Sequence, residues 1–247
     1  MQHIDKPPRT FFPTAINTYR QCPQRFLLQY VRKVRRPLPF SAALVKGGAT
    51  HRLLARHVVP YLRSGNLPDR LLAEARQEIE GANYPPHERQ HMARDAEEIV
   101  NLTVAGLQML EPGAQPLLVE RNLFALLGRG PVELGARVDL VVQHEDATVE
   151  HIDFKTGKRR PDDRLQMLIS RVVVGRRMAA APRIQTTLLY LQQRQADSRE
   201  LAGPEFQADW QALKATITEI RTTTSWPPVP GPLCDYCPYK DRDCAAW

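Results

Sequence analysis

The placement of cysteine constrains this chain most. It has four: Cys22 near the start, and Cys234, Cys237 and Cys244 in "CDYCPYKDRDC" at the far end. If the four serve one centre, the fold must bring its two ends together and close a loop over nearly everything between. Two disulfides are the alternative. The start, "MQHIDKPPRTFF", lacks the apolar core of a secretory signal, and no apolar run approaches membrane-spanning length. A cytoplasmic protein is therefore expected, which disfavours disulfides. Four thiolates including a C-x-x-C fit either a structural zinc or an iron–sulfur cluster.

Between the cysteines the pattern is first helical. "PTAINTYRQCPQRFLLQYVRKVRRP" reads as one or two short helices interrupted at Pro23. "GGATHRLLARHVVPYL" carries His51, Leu54, Val58 and Tyr61 at helical spacing, with its end blurred by Pro60. "DRLLAEARQEIE" follows as a second amphipathic helix. In "HERQHMARDAEEIVNLTVAGLQML", Met92, Ala96, Ile99, Val100, Val104, Leu107 and Leu110 share one side, and Pro112-Gly113 ends the helix. Three strand-like runs come next: "PLLVERNLFALLG", "VELGARVDLVVQ" and "ATVEHIDFKTG", with "HED" as a hairpin between the last two. A helix ("DDRLQMLISRVVVGRRM"), a strand ("RIQTTLLYLQQ"), a helix with Phe206, Trp210, Leu213, Ile217 and Ile220 on one face, and a proline-rich tail complete the chain. The order predicts one α/β domain over 1–247. Residues 1–112 form an N-terminal helical addition, 113–223 the core, and 224–247 a staple shared with Cys22.

The strands carry acids, which strands generally avoid. In "HIDFKTGKRR", Asp153 and Lys155 are two apart and share a face, while Ile152 and Phe154 fill the other. This is either a solvated ion pair at a strand end or a metal-bound carboxylate with a lysine beside it. In "GARVDLVVQ", Val138, Leu140 and Val142 define one face, so Asp139 shares the other with Arg137 and Val141. Asp139 is either on an exposed face, or paired internally with Arg137, or a metal ligand on the strand beside Asp153. Glu120, in "LLVERNL", is a third acid within a strand. An oxygen-rich group of this kind suits Mg²⁺ or Mn²⁺. His51 lies on an apolar stripe, where a core histidine is the ordinary reading. "TGK" is no phosphate-binding loop, because Ile152 stands where that motif needs its first glycine.

An apolar content of 43% and a charged content of 25% are those of a globular chain. The balance of 34 basic against 27 acidic residues favours a polyanionic partner. From Lys158 to Arg183 there are eight basic residues and two acids, directly after the Asp153/Lys155 pair. This run is either a solvated face or a path for phosphates.

Together these motifs resemble the RecB-like branch of the PD-(D/E)xK nuclease superfamily, particularly its members with a cysteine-ligated iron–sulfur cluster, and the likeness runs from "YRQCPQRF" to "CDYCPYKDRDC". It implies a restriction-endonuclease-like mixed β-sheet flanked by helices. "GGATH" looks like the family's histidine-bearing helix, which turns His51 into a metal ligand. "GARVDLV" looks like the strand with the first acidic ligand, "IDFKTGK" like the acid-x-lysine motif, and Glu120 like the acid on the preceding strand. The resemblance implies Mg²⁺ or Mn²⁺ held by Asp139, Asp153, the Phe154 carbonyl and His51, with Lys155 acting on the attacking water. It also implies a 4Fe–4S cluster, or zinc as the alternative, on Cys22, Cys234, Cys237 and Cys244. The family's glutamine matches Gln166, but Ser170 stands where the tyrosine four residues later belongs, and Tyr190 has the wrong spacing. The expected activity is cleavage of DNA, single-stranded or with free ends, in repair, recombination or CRISPR adaptation, alone or with a helicase or other subunits. Lys158, Arg159, Arg171, Arg176 and Arg177 are the expected backbone contacts. The rival is an inactive DNA-binding or scaffolding subunit.

Overall fold

In the computed structural model, residues 5–37, 39–128, 130–200 and 202–246 are described. A two-residue strand, β1 (Thr10–Phe11), leads into α1 (Pro13–Gln21) and α2 (Pro23–Phe26), which breaks at Cys22 because Pro23 starts a new helix. A π-helical turn, Leu27–Val31, follows. Next come α3 (Ala42–Ser64), α4 (Leu71–Glu80) and α5 (Met92–Gln108). The Ser41 hydroxyl accepts from Leu44 N at the start of α3, and Gly65, at φ 71°, ends it. Pro60 lies inside α3 rather than ending it, because buried Tyr61 and Leu62 hold the last turn against the core.

The sheet then forms. Strands β2 (Gln115–Leu126), β3 (Glu133–Gln143) and β4 (Val149–Lys155) make an antiparallel meander. Helix α6 (Asp163–Arg177) crosses over to β5 (Ile184–Tyr190), which is parallel to β4, as a helical connection requires. β6 (Gln195–Arg199) returns antiparallel before α7 (Gly203–Thr222). The order is β1-β3-β4-β5-β6, with β2 on the other side of β3. β1 ties the N-terminal segment directly into the sheet, at Glu133 and Leu134. Among the described residues no helix is long and apolar enough to cross a membrane.

Helices α3 and α5 cover one face of the sheet, packing Leu54, Val58 and Leu107 on Leu140, Ile152 and Phe154. Helices α1, α6 and α7 cover the other, with Ile16, Ile169 and Ile217 against Val138, Val141 and Val149. This corrects the expectation that Val138, Leu140 and Val142 share a face. Val138 joins the α6 side, whereas Leu140 and Val142 join the α3 side. The partner strand changes face at the same level, with Val119 on the α3 side but Leu123 and Ala125 on the α6 side. The pairing there skips the Glu120/Asp139 pair, and Glu120 sits in the left-handed region at φ 48°. A left-handed residue rotates the strand that carries it, so the two-strand ribbon turns over between its two halves. The two acids emerge at the turnover point.

Candidate active site

A cleft of about 1150 Å³ opens between α3 and the ends of β4 and α6. It is lined by His51, Glu120, Asp139, Asp153, Phe154, Lys155 and Gln166. Thus the helix histidine, three strand acids, lysine and glutamine singled out in the sequence converge on one space.

His51, Glu120 and Asp139 each offer a ligand atom within 4.8 Å of the others. His51 Nδ1 is 3.3 Å from Asp139 Oδ2 and 3.9 Å from Glu120 Oε1. The Phe154 amide donates to Asp139 Oδ2 at 2.9 Å, which locks that carboxylate to β4, and Arg137 Nε donates to Glu120 Oε2 at 2.6 Å. Burial, and then the charge of Asp153, hold the Asp139 pKa above the ordinary carboxylate value against the opposing pull of His51. Burial would lower the His51 pKa, but its hydrogen bond to Asp139 and the charges of Asp139, Asp153 and Glu120 outweigh that and raise it. The site is therefore short of positive charge. A divalent cation would supply it; the two carboxylates suit Mg²⁺ or Mn²⁺, and the imidazole nitrogen favours Mn²⁺ of the two.

Asp153 stands beside this group. Its Oδ1 accepts from Gln166 Nε2 at 2.5 Å. Its buried Oδ2 faces Lys155 Nζ at 2.7 Å as an ion pair, without the alignment of a hydrogen bond. Lys155 also donates to Gln166 Oε1, so acid, lysine and amide close a ring. Ser170 lines the same cleft, one turn along α6 from Gln166.

The expected DNA contacts divide. Lys158 lines the cleft, together with Arg160 from the same turn. Arg159 is exposed and pairs with Asp197 of β6. Arg171, Arg176 and Arg177 do not line the cleft. α6 points its first residues at the site and runs away from it, and at 1.5 Å per residue Arg176 is about 15 Å beyond Gln166. Arg171 folds back over Gly175, where an added Cβ would lie 2.4 Å from Nη1, and burial lowers its pKa. Helical spacing shows which residues share a face but not where the helix axis points, so the sequence could not separate these arginines from Lys158.

A family model described as the PD-(D/E)XK nuclease superfamily matches residues 10–242. The chain belongs to that superfamily. Two solved structures resemble this PD-(D/E)XK protein. SSO0001 shares 14% identity with a TM-score of 0.42, covering 98% of this chain and 88% of that one. A "Putative exonuclease" from Eubacterium rectale shares 9% with a TM-score of 0.47, covering 94% and 88%. Comparison with curated proteins finds no match.

Outside glycine, asparagine and aspartate, the left-handed conformation of Glu120 costs of order 1 kcal/mol. Glu120→Gly is therefore expected to raise stability by up to about 1 kcal/mol while weakening Mn²⁺ binding. Glu120→Gln, which keeps the strain, should weaken binding with no gain. Urea titration and calorimetric Mn²⁺ titration check this, and a Glu120→Gly protein that binds Mn²⁺ normally would remove Glu120 from the ligand set.

His151, on the Asp153 side of β4, is fully buried with neither ring nitrogen hydrogen-bonded, and its desolvation pushes the pKa down to about 4. The unfolded chain binds this proton near 6.5. Between those values the unfolded state holds more protons, so stability falls as the pH drops through that window, by about 3 kcal/mol in all. His151→Leu should flatten that part of the pH dependence. Unfolding free energies measured in urea from pH 4 to 8 decide it, and parallel curves for the two proteins would refute it.

Proposed function

We propose that this protein is a divalent-metal-dependent deoxyribonuclease that prefers single-stranded DNA or free ends. The observation that carries the reading is the convergence of His51, Glu120, Asp139 and the Asp153–Lys155–Gln166 ring in one cleft. A bound divalent ion would activate water and offset charge on the scissile phosphate. His51, Glu120, Asp139 and Asp153, with the Phe154 carbonyl, are the proposed holders of that ion. Lys155, fixed by Asp153 and Gln166, presents its ammonium towards a phosphate in the cleft and stabilises the negative charge that develops there. Lys158 and Arg160, on the rim, suit backbone phosphates, which give affinity without sequence preference. Repair, recombination or CRISPR adaptation, alone or beside a helicase, are the settings such an activity serves.

We further propose a 4Fe–4S cluster on Cys22, Cys234, Cys237 and Cys244, as in the iron–sulfur branch of the superfamily. All four are free and line one cavity of about 220 Å³. Backbone amides of Arg25 and Gly231 point at the sulfurs of Cys22 and Cys234, at 3.5 and 3.4 Å, as suits thiolate acceptors. Among the described residues no three cysteine sulfurs lie mutually within 4.8 Å. Tetrahedral zinc would need them about 3.8 Å apart, from Zn–S bonds of about 2.3 Å.

The test is incubation of labelled single- and double-stranded DNA with protein purified anaerobically, with Mg²⁺ or Mn²⁺. Metal-dependent cleavage, fastest on single strands, is expected. Binding without cleavage under either metal would instead support an inactive DNA-binding subunit, the reading that Ser170 in the tyrosine position favours.

A further inference from the structure

We propose that Asp163 and Tyr190 are positioning residues that hold Lys155 out in the cleft, an inference that rests on the nuclease reading above. A lysine is a flexible stem ending in a point charge. Asp153 holds Lys155 Nζ at 2.7 Å, and a metal bound to that carboxylate would compete for it, so the lysine needs a second anion to stay in the cleft. The structure supplies a second anion. Asp163 Oδ1 lies 4.0 Å from Lys155 Nζ, which also has Asp153 Oδ2 at 2.7 Å and donates to Gln166 Oε1. The ammonium thus pairs closely with Asp153 of β4 and lies at the limit of ion-pair distance from a second carboxylate, Asp163, on the first turn of α6.

Asp163 is in turn fixed. Its Oδ2 accepts from the Tyr190 hydroxyl at 2.8 Å and from the Arg160 amide at 2.8 Å, which leaves Oδ1 to face the lysine. Tyr190 is 4% exposed, packs with Met167 and Leu188, and pairs with Lys155 in the parallel register of β4 and β5. Burial and Asp163 push the Tyr190 pKa up to about 12, so its hydroxyl stays a donor. The same Asp163 oxygen anchors the turn that carries Lys158 and Arg160 to the cleft. The pair therefore couples the sheet register to both the lysine and the rim.

The plainer alternative makes Asp163 only an acid at the start of α6, favoured by the helix dipole, and Tyr190 only a satisfied core phenol. The two differ in kinetics. In Asp163→Asn, if the oxygen stays with Tyr190 and Arg160, an amide N–H faces the ammonium and repels it. We expect kcat to fall up to about 100-fold, as small misplacements do, and roughly tenfold for Tyr190→Phe, which loses one buried hydrogen bond, with KM nearly unchanged in both. In a Lys155→Ala background, adding either substitution should cost nothing further in single-turnover cleavage, because the residue being positioned is gone.

Circular dichroism and melting of each variant accompany the rates. Should Asp163→Asn not fold, Tyr190→Phe, which deletes one oxygen, decides alone. Wild-type kcat in Tyr190→Phe and in any folded Asp163→Asn, or equal losses with and without Lys155, would overturn the proposal while leaving the nuclease reading intact. Wild-type protein that cleaves nothing, or Lys155→Ala at full rate, would take down the nuclease reading and this proposal with it.

Discussion

Asp139→Ala, Asp153→Ala and Lys155→Ala are each expected to lower DNA cleavage by about 10²- to 10³-fold, the loss that follows removal of one group preorganised for the transition state. Helix and strand content should be unchanged. The reason differs for each residue. Asp139 is pinned by the Phe154 amide, and its carboxylate contributes directly to the donor group with His51 and Glu120. Its loss should abolish metal binding as well as turnover. Asp153 holds both Gln166 and Lys155, so its removal frees the lysine as well as losing a candidate ligand. Lys155 is not itself a proposed ligand, and its pairing with Asp153 competes with a metal there. Lys155→Ala is therefore expected to bind Mn²⁺ at least as tightly as the wild type does and to fail in turnover alone. Calorimetric Mn²⁺ titration beside single-turnover cleavage separates the two behaviours. A Lys155→Ala protein with full rate would remove the lysine from the chemistry. One that lost metal affinity as well would show that it acts through the ligands.

The sequence exposed the parts of this site that follow a short local period. An acid and lysine two apart in a strand must share a face, and Asp153 and Lys155 do. A histidine at helical spacing with Leu54 and Val58 lies near that helix's inner side, and His51 reaches the cleft from there. What stayed hidden depends on long-range geometry. β1 is two residues, and β6, "QADSR", has no apolar alternation, so neither carries a strand signal. The turnover of the β2–β3 ribbon comes from one backbone angle at Glu120, which no residue type announces. For that reason Val138 lies on the face opposite to the one that simple alternation predicts. Tyr190 fails every test of spacing from Gln166 along a helix, yet register between two parallel strands brings it across from Lys155. Parallel pairing joins residues that local pattern cannot relate.

The second large effect is expected at the joined ends. Anaerobically purified protein should be brown, with iron and sulfide, and Cys22→Ser should lose the cluster. The proposed cluster would link Cys22 to the distant tail and so close nearly the whole chain. By analogy with a covalent cross-link over a loop of that order, its loss should cost about 5 kcal/mol if the ends separate only on global unfolding. The structure argues that they separate sooner. The ends are also held by a Gln24 amide donating to Pro227 O at 3.3 Å, Tyr239 Oη donating to Val34 O at 2.9 Å, the Arg36–Asp243 pair at 2.8 Å and stacking of Phe26 on Trp226. Phe26 and Trp226 belong to the core beneath α6 and α7, but the Arg36–Asp243 pair is partly solvated, so the outer contacts are expected to open locally while the sheet stays folded. Loss of the cluster should therefore raise amide exchange and proteolysis at residues 23–36 and 226–244 well before the midpoint of global unfolding, leaving β3, β4 and β5 protected. The cleft should also lose some order, because α1 leaves β1 for the same core that α6 packs against. Zinc as the only metal in anaerobic material, or a Cys22→Ser protein with full iron content, would refute the cluster. Unchanged exchange at both ends after its loss would mean that the noncovalent contacts suffice to hold them.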